Sequence, residues 1–191
     1  MAPEDKIHLF EHMLTQFIRW QWELTGRSSE KSFNEANNFS KIKAIKLHFF
    51  TIAVNADKDS LLVIFNELLA TAYGHVEKFI YESITNDVYD LTYYKWVDGT
   101  LKFKDDVKLS EITPNKNLIS EIQEIDTAIE QLRIYNNKLV TYNSLDLVNL
   151  SLDWISWKSA YAMARDESKF SQAIPNDVIK KEEKFFTLSN L

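Results

Sequence analysis

Residues 70–81, reading ATAYGHVEKFIY, decide how the middle of this 191-residue chain is read. They set Gly74 inside an aromatic, apolar run that offers no other turn residue. The chain has three glycines, and the other two stand where glycine has an ordinary task. Gly26 follows a long amphipathic segment, the place for a helix-ending residue in the left-handed conformation. Gly99 follows Asp98 between two alternating runs, a strong hairpin signal. Gly74 therefore marks a backbone position that a side chain would obstruct. The spacing after it predicts a helix starting near His75 and running to about Ile84.

Working outward, residues 3–26 read as an N-terminal helix, with Ile7, Phe10, Leu14, Phe17 and Ile18 on one face. His8, His12, Thr15 and Arg19 share the opposite, solvated face. Residues 27–38 are polar and irregular, and read as a loop. Ser40 is the N-cap of a second helix to Val54, apolar nearly all round and so central and buried. Residues 61–72 are ambiguous between a short helix and extended chain, because a short apolar run does not fix the period. Residues 91–104 form a hairpin about Asp98-Gly99 that pairs Trp96 with Leu101 and Tyr94 with Phe103. It sets Lys95 opposite Lys102 on the other face, a like-charge pairing that calls for solvent or an acidic partner. A helix over 117–135 carries Leu118, Ile122, Ile125, Ile129 and Leu132 as a short coiled-coil-like seam. Ser144 caps a helix through Tyr161 and beyond, and Ile174-Pro175 opens a last one reaching Phe186.

Composition narrows the class. A chain of this length can bury roughly 70% of the surface its unfolded form exposes, so it needs no covalent staple. It has no cysteine, which removes disulfides and thiolate metal sites and suits a reducing cytoplasm. The opening residues lack a basic-then-apolar leader pattern, and no apolar run approaches membrane-span length. A net charge of −6 argues against general nucleic-acid binding.

Several constellations bear on chemistry. His8-Leu9-Phe10-Glu11-His12 matches an H-x-x-E-H string, in which two histidines one helical turn apart share a metal and the glutamate polarises water. Its place on a solvated face, without a marked third ligand, favours a surface string over a metal-dependent hydrolase. His48 reads as a hydrogen-bonded core residue, and His75 as a packing residue at the start of a helix. Asp105-Asp106 and Glu182-Glu183 read as solvated surface. Trp154 and Trp157 read as core aromatics. No catalytic residue, metal site or cofactor is nominated, since three glycines leave little for phosphate-cradling loops.

Three blocks resemble the Panacea domain (SocA-like, phage-associated). Residues 39–50, FSKIKAIKLHFF, are similar to that family's capped helix with a Lys-Leu…Lys-Leu-Leu-Tyr-Phe pattern. Residues 65–81, FNELLATAYGHVEKFIY, are similar to its Phe…Ala-x-x-Tyr-Gly-Pro-Val…Tyr stretch. Residues 147–161, LVNLSLDWISWKSAY, are similar to its late Leu-Ser…Trp-x-x-Trp helix, which Ile174-Pro175 follows. The family's Pro after Gly is His75 here. The resemblance implies an antitoxin, which neutralises a partner toxin by direct binding and in some members delivers it to a protease.

The expectation is thus a mainly α (α+β) single domain over residues 1–191, with about six helices and one small antiparallel hairpin. It would act in the cytoplasm as an antitoxin-like module without cofactor or membrane. Its expected partner contacts are Tyr73, Gly74, His75, Lys95, Trp96 and Lys102. The alternatives are the hydrolase built on His8, Glu11 and His12, and a prophage regulatory protein that homodimerises through the 118–132 seam.

Overall fold

The computed structural model describes residues 1–26, 29–58 and 60–188. Helix α1 (Pro3–Thr25) begins with Pro3, whose fixed φ suits a first helical position, and places Glu4 and Asp5 at the positive end of the helix dipole. It ends at Gly26, left-handed at φ 67°, whose N–H reaches the Trp22 carbonyl. Helix α2 (Glu30–Glu35) is capped by Ser29. Helix α3 (Lys41–Val54) is capped by Ser40, whose hydroxyl accepts from the Lys43 N–H at 3.1 Å. As the sequence predicts, α3 is central and buried nearly all round, touching α1 as well as helices that follow it.

Helix α4 (Ser60–Ile64) leads into strand β1 (Leu68–Thr71), which turns through Ala72 and Tyr73 into β2 (Gly74–Glu77). Strand β5 (Ser171–Ala173), about a hundred residues later, pairs antiparallel with the other edge of β1. The sheet order is β2-β1-β5. Helix α5 (Lys78–Thr85) follows β2 directly, capped by the Glu77 carboxylate on the Ile80 N–H at 2.8 Å. The predicted helix at His75 is therefore corrected: residues 74–77 are strand, and the helix starts at Lys78. Neither Ala72 nor Tyr73 has positive φ, and Gly74 completes the reversal at φ 90°. The strand signal is hidden because the glycine follows the turn instead of occupying its centre.

The second hairpin, β3 (Tyr94–Val97) and β4 (Thr100–Phe103), has the predicted register, with Asp98 and Gly99 both at positive φ. It docks on the start of α3, where the Leu101 N–H donates to the Phe39 carbonyl at 2.8 Å. Helix α6 (Ile119–Tyr135) lies against α1, α3 and α4. Helices α7 (Ser144–Leu152) and α8 (Ile155–Asp166) replace the single predicted helix, and the N-cap is Asn143 rather than Ser144. Helix α9 (Asn176–Lys181) stops short of Phe186.

The fold is mainly helical, α+β, with nine α-helices among the described residues where about six are expected. The three additional ones are α2, α4 and the piece made by the break between α7 and α8. That break falls at Trp154, which is fully buried and extended at φ −68°, ψ 139°. The buried apolar side chains, Val148 and Ala164 apart, form one contiguous cluster from Ile7 to Phe186. The 118–132 seam is part of it: Leu118, Ile122, Ile125, Ile129 and Leu132 are all buried, so α6 spends this stripe inside its own fold. No helix among the described residues is long and apolar enough to cross a membrane.

Candidate functional site

Two polar clusters stand out, one sealed and one open. The sealed one is centred on His75, which strand β2 points into the interior. Its Nδ1 lies 3.0 Å from the Ser151 hydroxyl on α7, and its Nε2 lies 2.7 Å from the Ser156 hydroxyl on α8. The Ser151 hydroxyl also accepts from the His75 N–H at 3.0 Å. Lys46, on α3, donates to the His75 carbonyl at 2.5 Å. Phe49 stacks flat on the imidazole with ring centres 4.0 Å apart, and Trp154 meets it edge-on.

Glu182, beyond α9, accepts from the Ser156 N–H at 3.0 Å and so caps α8. Its carboxyl is held above the usual range by burial, an effect that hydrogen bonds from Ser156 oppose. Glu182 is thus a half-buried cap, not the solvated surface expected of it.

Burial, and then the charge of Lys46, hold His75 well below the ordinary histidine range, so its ring is neutral at pH 7. A neutral ring has one donor and one acceptor nitrogen. Each ring nitrogen faces a serine hydroxyl that can donate or accept, so both nitrogens are satisfied in either tautomer. Burial also pushes Lys46 down to about 7. These residues resemble catalytic types, but His75, Ser151 and Ser156 are at most 1% exposed. Their hydrogen bonds lock β2, α3, α7 and α8 together.

Gly74 completes this joint. A Cβ at that position would stand 2.4 Å from the Ser151 Oγ and 3.0 Å from the Lys46 Nζ. The sequence reading of Gly74 as a position that a side chain would obstruct is correct, although the obstruction lies in a hairpin. The reading does not single out Lys46, Ser151 or Ser156. The available signal for Lys46 is its place on a helix with no polar face.

The open cluster lies over the H-x-x-E-H string. A cleft of about 260 Å³ is lined by His8, Glu11, His12 and Thr15 of α1, by Thr92 and Tyr93 before β3, and by residues 112–115. The expected solvated face of α1 is corrected here, since Glu11, His12 and Thr15 are buried. The loop before β3 and the 112–115 segment cover that side of the helix. His12 Nε2 lies 2.7 Å from Asp126 of α6, and Gln16 donates to the same carboxylate oxygen at 2.9 Å. One Glu11 oxygen accepts from the Tyr93 N–H at 2.7 Å. Thr15 Oγ is 2.8 Å from the Tyr94 hydroxyl, and burial pushes that phenol above its usual range. His8 alone of the string is exposed. No group of three His, Cys, Asp or Glu among the described residues is arranged to hold a metal ion.

The expected contact residues fall into two separate groups on different sheets. Tyr73 is 62% exposed at the β1–β2 turn, whereas Gly74 and His75 are buried and offer no surface. Lys95 is opposite Lys102 as expected, but each charge has a partner within the fold. Lys95 pairs with Asp105 at 3.4 Å, Lys102 donates to the Asn34 carbonyl near the end of α2, and Lys104 donates to the Leu91 carbonyl. Trp96 is half-buried against the core. One exposed aromatic has no counterpart in the sequence reading. Phe170 is 95% exposed immediately before β5, and the pairing of Ser171 with Thr71 brings it to the Tyr73 turn. Beside it on α8, Trp157 stacks with Tyr161 at 4.9 Å and donates to the Thr71 carbonyl at 2.8 Å.

Compared with protein-family models, with curated proteins and with solved structures, the chain shows no significant match.

Proposed function

We propose that this chain is a single helical domain that works in the cytoplasm as an antitoxin-like module of the Panacea kind, neutralising a partner toxin by direct binding. One observation carries the reading. The three sequence blocks that bear the resemblance are the three that interlock around His75: Lys46 and Phe49 come from the first, Gly74 and His75 from the second, Ser151, Trp154 and Ser156 from the third. Residues distant in sequence thus carry the resemblance and also form one joint, as expected of a shared scaffold rather than three chance matches.

The position where the family pattern has Pro holds His75, whose ring takes up the hydroxyls of Ser151 and Ser156. With Gly74 and His75 internal and the hairpin lysines paired, the partner contact moves to Tyr73 and Phe170. Aromatics are enriched in the energetic centres of protein interfaces, and the net charge of −6 favours a basic partner. Delivery of the toxin to a protease is the adaptor form of the same activity.

The test is affinity capture of the tagged chain from its own cells, followed by expression of any stoichiometric small partner alone and with this chain. A partner that arrests growth alone and is harmless in co-expression supports the reading. Replacing Tyr73 and Phe170 by Ser should weaken that complex about tenfold or more while the domain stays folded, as loss of an aromatic anchor does. A partner that is harmless when expressed alone overturns the proposal.

A further inference from the structure

The cleft over α1 contains a carboxylate with no cation of its own. Glu11 is 3% exposed, yet among the described residues it forms no ion pair. One of its oxygens is taken by the Tyr93 N–H. The other has no hydrogen-bond partner among the described residues, and the side chain lines the cleft. Burying a carboxylate is costly unless it is paired and hydrogen-bonded.

His8, one helical turn before Glu11 on the cleft wall, has no hydrogen bond or ion pair among the described residues, and the other nearby basic groups are committed elsewhere. Arg19, two helical turns further along α1, turns its guanidinium to the Leu109 and Ile112 carbonyls at 3.4 and 3.5 Å. His12 is engaged by Asp126 through Nε2. Lys6 lies 3.8 Å from Glu77. The rest of the wall is supplied mainly by neutral polar groups, among them Thr92, Thr113 and Asn115. At about 260 Å³ the cleft is below the size of drug-binding pockets and suits a side-chain-sized group.

We infer that this cleft is a binding site for an organic cation, an alkylammonium or guanidinium group, with Glu11 as its counter-charge. Thr92 and Thr113 supply hydroxyl acceptors on the cleft wall, while the Asn115 amide oxygen already accepts from the Asn117 N–H. An anion is opposed by Glu11 itself, and a bare metal ion would find too few ligands of the required type. The site stands independently of the antitoxin reading, since it uses none of the residues around His75, Tyr73 or Phe170.

The test is an amide-resolved NMR titration of the full chain with n-butylammonium, N-methylguanidinium and a blocked peptide centred on arginine, each at millimolar concentrations. Saturable shifts at Thr92, Tyr93 and Thr113 are expected with at least one of the three. Glu11→Gln keeps an acceptor for the Tyr93 N–H and should weaken binding by about tenfold or more, the low end for a charge-assisted hydrogen bond. N-methylurea, a neutral isostere of N-methylguanidinium, gives the same discrimination on the unaltered protein and should produce no saturable shift. A peptide that binds more tightly than both small cations assigns the cation to a polypeptide, and equal or weaker peptide binding assigns it to a free amine or guanidine. Absence of saturable shifts with all three probes, or equal binding of N-methylurea, overturns the proposal.

Discussion

The joint around His75 and the cleft around Glu11 use nearly the same residue types, and they differ in what closes them. At His75 every strong polar group of the residue is answered from within: two hydroxyls on the ring nitrogens, and Lys46 on the backbone carbonyl. At Glu11 one oxygen is answered and the other is left to the cleft. A histidine between two serines beside a half-buried glutamate has the outline of a hydrolase site, but its aromatic walls shut it. The more open cluster, built on the H-x-x-E-H string, is the one a ligand can reach. Accessibility, more than residue type, separates a fastening from a site.

The contrast can be broken at the joint first. Gly74→Ala combines a positive φ with a Cβ inside contact distance of Ser151, and should cost about 3–5 kcal/mol of stability. Denaturant unfolding measures it, and a loss under about 1 kcal/mol would mean that the joint yields easily.

Lys46→Met sharpens the comparison through pH. The folded pKa of Lys46 is about 7 and the reference value 10.5, so between them the unfolded chain holds more protons and stability rises with pH. Lys43 is lowered to about 7 in the same way, again by burial. Removing Lys46 should therefore about halve the slope above pH 7. Tyr94, raised from 10.0 by burial, reverses the trend above pH 10. Melting temperature followed across this window would show it, and an unchanged slope would mean that Lys46 stays protonated.

The smallest effect belongs to the cleft's support. The Asp126 side chain is 45% exposed, so Asp126→Ala should cost no more than about 1 kcal/mol. A loss rivalling that of Gly74→Ala would abolish the distinction between fastening and site.

Much of this was legible in the residues. The Asp98-Gly99 hairpin has the register that its alternation dictates, because a two-residue turn at positive φ leaves little choice. The burial of α3 follows from apolar residues on every side of it. The β1–β2 hairpin was not legible as such, since its glycine follows the turn. Strand β5 was hidden too, being three residues long and paired across the chain.

Charged and polar residues misled more often than apolar ones. Lys102 opposite Lys95 reads as an unmet charge until α2 brings the Asn34 carbonyl to it. Glu182 reads as surface until Ser156 arrives. His48 is buried as expected, but neither ring nitrogen has a partner among the described residues; it sits edge-on to Phe10 and Phe65. Long-range contacts decide each of these, and spacing along the chain does not contain them.

Strand β5 carries one more consequence, for synthesis on the ribosome. The β1–β2 hairpin can form as soon as Glu77 has emerged, but the free edge of β1 waits for residues 171–173. Glu182 and Phe186, which close over α8 and Trp154, arrive later still. For about half of its translation the nascent chain therefore shows an open strand edge beside unfinished aromatic packing, a state that invites pairing with other chains. A stop codon before Ser171 would make that passing state permanent, so the shortened product should be prone to aggregate even with α1 to α8 all encoded.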